Sequence, residues 1–243
     1  MVIDIARSAL IAIDVQNDFC PALQASDGKT LGGALAVSGG NEVVGPLNAL
    51  AQRFAAEGAA VVATQDWHPE NHVSFASSHP LSRVNDIIAI PIPQLSASIS
   101  TRKEEGPYPA AIEQILWPDH CVQGSFGADF HPKFDLRPVR LVLRKGCRVE
   151  LDSYSAFFEN DRRTTTGLDA YLKGLGIGTV FLGGLATDYC VLYSALDAIR
   201  LGYETVLLSD AVRAVGHPEA SLERAMTLMR EAGVLFLESG SLL

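Results

Sequence analysis

Four stretches of this 243-residue chain carry side chains that could do chemistry, and each lies at the edge of an apolar run. In "LIAID" an aspartate, Asp14, closes a run of strand length, where it needs a partner. "ATQDWHPENHVSF" gathers Asp66, His68 and His72 within seven positions. "LVLRK" ends in Lys145, and "GGLATDYC" carries Cys190 into a helical pattern. A thiol, a carboxylate and an amine form a coherent set. The carboxylate can accept the thiol proton, and the ammonium can stabilise both the thiolate and the ionised aspartate. With Thr187 or Asp188 as N-cap, Cys190 would stand in the first helical turn. There free N–H groups and the helix dipole favour a thiolate and can hold an oxyanion. Gly183 and Gly184 would let a substrate approach the backbone closely.

Asp66 and His68, two apart at a strand end, project to one face while Trp67 takes the other. Pro69 disfavours helical geometry at His68, so His68 and His72 are not expected to stack as a helical i, i+4 pair. Asp and His donors suit Zn²⁺, Mn²⁺ or Fe²⁺ better than Ca²⁺ or Mg²⁺. A third ligand is needed, and His72 or the His120 of "WPDHCV" could supply it. Taken singly, the same residues also read as a solvated Asp-His turn, a packing thiol and a snorkelling lysine. Cys20, Cys121 and Cys147 read as packing thiols, and His79, His131 and His217, each before a proline, as loop histidines. The chain has no G-x-G-x-x-G or P-loop fingerprint, which argues against nucleotide binding.

Positioning these groups requires strands, and β-branched runs alternate with helical patterns throughout. Strands are expected over 8–15, 59–66, 139–145, 179–185, 204–210 and 234–239. Helices are expected from Asn41 to Gly58, over "GLDAYLKGLG", over "DYCVLYSALDAIRLG", and over "PEASLERAMTLMREAG" with Leu222, Met226 and Met229 on its apolar side. The pattern predicts a doubly wound, six-stranded, mostly parallel sheet with helices on both faces, an α/β/α sandwich forming one domain over 1–243. In such sheets ligands bind beyond the carboxyl ends of the strands, where all four stretches meet. Residues 20–40 and 76–120 read as loop-rich insertions, suited to lids or oligomer contacts. A net charge of −9 leaves no basic stripe for nucleic acid and disfavours an anionic membrane surface. No run is long enough to span a bilayer, the N-terminus lacks a signal pattern, and four scattered cysteines fit free thiols in the cytoplasm.

Five motifs in order, "AIDVQNDFC", "QDWHPENHVSF", "WPDHCVQGSFGADF", "RKG…DSYSAFF" and "GLATDYCVLYSALDA", resemble the isochorismatase-like cysteine hydrolases, and within them the bacterial nicotinamidase/pyrazinamidase group. The resemblance runs from about residue 9 to the sixth strand. It implies a Rossmann-like sheet and a metal-assisted amidase that converts nicotinamide, and pyrazinamide, to the acid and ammonia in NAD salvage. By motif match Asp14 is the base, Lys145 its charge partner and Cys190 the nucleophile. Asp66, His68 and His120 are the metal ligands, with zinc first and iron or manganese as options, and His72 lies nearby. The resemblance also implies a cis peptide before Ala186, an oxyanion hole from the N–H groups of Ala186 and Cys190, and aromatic walls from Phe19, Trp117 and Tyr154. A homo-oligomer remains open. "QASDGKTLGG" and the span between His79 and Trp117 depart from the pattern. The alternatives are a sister hydrolase acting on another small amide or carbamoyl substrate, a metal-hydroxide amidohydrolase in which Cys190 is structural, and a non-catalytic metal-stabilised interaction protein.

Overall fold

The computed structural model describes residues 4–91 and 111–243. Its first strand, β1 (Ser8–Ile13), is buried along its whole length. Alternate side chains serve two cores: Ile11 and Ile13 face one, Leu10 and Ala12 the other. A strand buried on both faces must have layers on both sides. The hairpin strands β2 (Leu23–Gln24) and β3 (Thr30–Leu31) follow, then helix α1 (Val44–Ala56) and β4 (Ala60–Asp66). An antiparallel pair, β5 (Ile87–Pro91) and β6 (Ala111–Ile115), stands apart from the main sheet. Next come β7 (Leu141–Lys145), α2 (Leu168–Gly174), β8 (Thr179–Leu185), α3 (Leu192–Arg200), β9 (Glu204–Arg213), α4 (Ser221–Glu231) and β10 (Leu235–Leu237).

The main sheet has the order β10-β9-β8-β1-β4-β7, with every pairing parallel. From β1 the chain winds outward through β4 to β7, then returns to β8 on the other side of β1. The direction reverses between β1 and β8, so the crevice at their carboxyl ends is the switch point of a doubly wound sheet. This is the expected fold class. Helix α1 covers one face through Leu47, Leu50 and Phe54, all fully buried, each contributing about 1.5–3 kcal/mol as an upper estimate. Leu168 and Leu172 of α2, Ala195 of α3 and Met229 of α4 belong to the opposite core. Pro46 is tolerated because it lies in the first turn of α1, where its missing N–H would have no helical acceptor. The helix ends at Gly58, whose φ of +77° allows Ala59 N to donate back to Phe54 O.

Several element boundaries move. Asp14, expected inside the first strand, lies just beyond it with φ +50°. Strand β9 continues to Arg213 because a bulge opposite Leu182 and Gly184 absorbs the polar Ser209-Asp210 pair, which had looked like a strand end. Leu222, expected on the apolar side of α4, is 43 % exposed, and Ala225 and Met229 supply the buried stripe. In the first insertion, Gly33, Leu35 and Val37 donate to Asn17 O, Asp18 O and Phe19 O, which lays this loop along the rim of the switch point. The motif "KEEGPYP" of the second insertion falls outside the described residues.

Candidate active site

The wide helical turn Thr187–Val191 leads from β8 into α3, and Cys190 lies within it. Its start is marked by Tyr189 N and Val191 N, which both donate to Ala186 O. Such i→i+5 turns re-aim side chains. Lys145 Nζ lies 3.4 Å from Cys190 Sγ and 2.8 Å from Asp14 Oδ2, also pairs closely with Asp66, and donates to Ser153 O at 2.9 Å. Strand register makes this cluster. Asp66 and Lys145 are paired positions of β4 and β7, so their side chains leave the sheet together. Asp14 is held from β4 by Thr64, whose hydroxyl donates to Asp14 Oδ1 at 2.6 Å.

Burial pushes the Cys190 thiol well above its ordinary range; the Lys145 ammonium opposes this, and Asp14 and Asp66 reinforce it. Burial thus opposes the thiolate that the helix terminus favours, and a neighbouring base has work to do. Burial also lifts the Asp14 carboxyl to about 6, against the pull of Lys145. Lys145 stays protonated: burial works against its charge, but Asp14 and Asp66 hold it well above the usual lysine value. Burial opposes ionisation of Asp66 as well, yet Lys145 and then His68 keep it well below the carboxylate range.

On the other side of Asp66 lie His68 and His120, and one donor atom from each of the three falls within 4.8 Å of the others. His68 Nδ1 faces Gly146 O at 2.9 Å and His120 Nδ1 faces Pro118 O at 2.8 Å. Each Nδ1 therefore donates to a carbonyl, which leaves Nε2 as the nitrogen that would face a metal. His68 Nε2 is 3.6 Å from Asp66 Oδ2. Gly146, at φ +62°, is obligatory, since a Cβ there would stand 2.5 Å from His68 Cε1. His120 arrives through a laced loop: His68 N donates to Cys121 O, Gln123 N to His68 O, and Cys121 N to Asp18 Oδ2 at 2.8 Å. Oxygen and imidazole donors of this kind fit a divalent transition metal.

His72 is adjacent but differently engaged. The chain between the two histidines is not helical, yet their rings stack at 4.1 Å, because both pack beneath Phe75. His72 Nδ1 accepts from Ser74 N at 3.3 Å and meets Ser74 Oγ at 2.7 Å, while Nε2 faces Leu151 O at 3.3 Å.

Between thiol and imidazoles lies a small cleft. Phe19, Trp117 and Tyr154 line it together with Ala186 and Cys190. The Leu185–Ala186 peptide is cis.

An isochorismatase domain model matches residues 8–239. The chain belongs to the isochorismatase family. Within the family it is 41% identical over 235 residues to a nicotinamidase of Acinetobacter baylyi, with 97% of this chain and 94% of that protein covered. Among solved structures, a nicotinamidase/pyrazinamidase of Acinetobacter baumanii superposes with a TM-score of 0.81 at 40% identity, covering 98% of this chain and 99% of that one. A pyrazinamidase of Pyrococcus horikoshii in complex with zinc gives 0.68 at 32% identity, covering 96% and 99%.

In this isochorismatase-family chain two expectations of local chemistry change. Neither Thr187 nor Asp188 caps the turn before α3; Ala186 holds that position. The Asp188 carboxylate instead accepts from Val215 N, Gly216 N and Ser221 Oγ, which fixes the loop carrying Val215 to the cleft. The close approach that demands glycine at 184 comes from the neighbouring strand, not a substrate: a Cβ there would collide with Ile13 O. Sequence reasoning passed over Tyr189, Asp152 and Leu35, which also line the cleft, and Thr64 behind Asp14. Tyr189 and Asp152 sat inside quoted motifs, and Thr64 was a polar residue in an apolar run. Leu35 carried no signal, because only the folded-back loop brings it there.

Proposed function

We propose that this protein is a metal-assisted cysteine amidase that hydrolyses nicotinamide to nicotinate and ammonia, and pyrazinamide by the same route, within pyridine-nucleotide salvage in the cytoplasm. The observation that carries the reading is one small cleft lined by Cys190, with Lys145 and Asp14 behind it, and by Asp66, His68 and His120. The identity to nicotinamidases supports the substrate, and the four free cysteines support a reducing compartment. Asp66, His68 and His120 would hold the ion, which we take to be zinc. When bound it supplies a Lewis-acidic anchor for the pyridine nitrogen.

The chain's own residues perform the transfer. Phe19, Trp117 and Tyr154 confine a flat ring. Asp14 takes the proton from Cys190 Sγ, and the ammonium of Lys145 steadies both anions. Sulfur bonds to the carboxamide carbon, and the developing oxyanion meets the N–H groups of Ala186 and Cys190. The C–N bond breaks, and ammonia leaves with the proton returned by Asp14. Water then adds to the thioester, giving its proton to Asp14, and nicotinate departs as Sγ is reprotonated. The experiment is ammonia release from nicotinamide by protein of measured metal content, beside Cys190→Ala. Turnover by the wild type alone is expected. A fully metallated wild type that releases no ammonia from nicotinamide would sink the reading.

A further inference from the structure

The cleft contains a third buried carboxylate for which the steps above have no use. Asp152 is 3 % exposed and lines the cleft. Its Oδ1 accepts from Ser153 N at 2.8 Å and its Oδ2 from Gln114 Nε2 at 2.9 Å. Both donors are neutral. Among the described residues no lysine or arginine pairs with it, although Lys145 already serves Asp14 and Asp66. Lys145 thus balances Asp14 and Asp66, while the buried Asp152 is left with neutral donors alone, an arrangement that calls for positive charge nearby.

Position narrows what Asp152 can do. One of its oxygens lies within 4.8 Å of ring nitrogens of both His68 and His72. These three do not make an independent metal site, because both nitrogens of His72 are taken by Ser74 and Leu151 and its ring is stacked flat on His68. What remains is the His68 side, which Asp152 shares with Asp66 and His120. A separation of this order suits two hydrogen bonds through one water better than direct contact. Each carboxylate oxygen has one lone pair already used and one left to accept.

We propose that Asp152 is an outer-sphere carboxylate of the metal centre, accepting a hydrogen bond from water held by the ion and aimed by Gln114 of β6. The inference rests on the metal-assisted reading. It gives the 76–120 insertion a task, since Gln114 also donates to Tyr154 OH at 3.1 Å and so ties one strand of that insertion to both the ion and the ring wall. Asp152 is thus a positioning residue that adds charge and directs water.

The test is Zn²⁺ affinity of the full chain, by competition with a chromogenic chelator, for the wild type, Asp152→Asn, Gln114→Met and His120→Ala. The melting temperature of each metal-free form is measured alongside. His120→Ala is expected to lose Zn²⁺ binding. Asp152→Asn, which keeps the shape but replaces the charge and one acceptor oxygen by an amide N–H that the Gln114 amide can turn to accept, is expected to weaken it about 10- to 100-fold with little change in the metal-free melting temperature. Gln114→Met should shift it the same way by less. Affinity of Asp152→Asn within about twofold of wild type, or a loss matched by a fall in metal-free melting temperature, overturns the proposal. A loss as complete as that of His120→Ala overturns it too, by making Asp152 a direct ligand. Wild-type affinity in His120→Ala would instead overturn the underlying metal assignment.

Discussion

Lys145 Nζ lies 2.8 Å from Asp14 Oδ2, and neither side chain has any solvent-exposed surface. An ammonium this deep is tolerated only because carboxylates surround it, and the carboxylates depend on it equally. Replacing Lys145 by Met is therefore expected to destabilise the fold by about 3–5 kcal/mol, the cost of stranding buried charge. Urea unfolding reads the loss. A change below about 1 kcal/mol would mean the aspartates take up protons at little cost.

Cys190 is buried, with Lys145 Nζ 3.4 Å from its sulfur. Cys190→Ala should abolish ammonia release while leaving bound metal at wild-type level, because Asp66, His68 and His120 do not need the thiol. Metal analysis beside the amidase assay separates the two. Residual turnover at wild-type rate would favour a metal-hydroxide route with a structural cysteine.

Asp14 must be ionised to take the thiol proton, and burial lifts its carboxyl to about 6. As pH rises through that value the active fraction grows, so kcat/KM for nicotinamide should climb along an acid limb and then level off. The pH profile of wild type gives the limb directly. A profile flat on the acid side would assign the base elsewhere.

Tyr154 OH accepts from Trp117 Nε1 at 3.2 Å and from Gln114 Nε2 at 3.1 Å. Tyr154→Phe removes the acceptor from a buried indole N–H, at an expected cost of about 1–3 kcal/mol. It should also raise KM for nicotinamide more than it lowers kcat, since the ring wall loosens while the thiol cluster is untouched. An unchanged KM would remove Tyr154 from the substrate wall.

Glu159 offers a stability signal away from the thiol. Burial lifts its carboxyl from an ordinary 4.5 to about 7, despite Arg148 at 3.8 Å. The folded state then holds a proton that the unfolded chain releases, so this group's contribution is complete below about 4.5 and is lost as pH rises to about 7. Glu159→Gln should flatten the fall, read as melting temperature against pH.

The sequence by itself determined the kinds of chemistry and where each group sits on its element. Apolar runs ending in Asp14, Asp66 and Lys145 fix strand ends, because a charge cannot continue a strand buried on both faces. Asp66-x-His68 fixes two donors on one side through the two-residue period of a strand. The alternation of runs and helical patterns fixes a parallel sheet, and its six strands are those in the structure.

Tertiary structure decided what these groups meet. Only the strand order sets β8 beside β1 and β7 beside β4, and only the register aligns Asp66 with Lys145, so the sharing of one ammonium among three side chains is not legible along the chain. The surroundings of Cys190 divide the same way: the helix terminus is local and readable, whereas the burial and the neighbouring Asp14 and Asp66 that push its thiol up come from distant segments. His72 and Asp152 make the point from opposite sides. A histidine spaced like a ligand has its nitrogens engaged by Ser74 and Leu151, while an aspartate with no distinctive spacing is brought to His68 by the loop after β7. Sequence spacing orders donors along an element, but which lone pairs remain free depends on neighbours that only folding supplies.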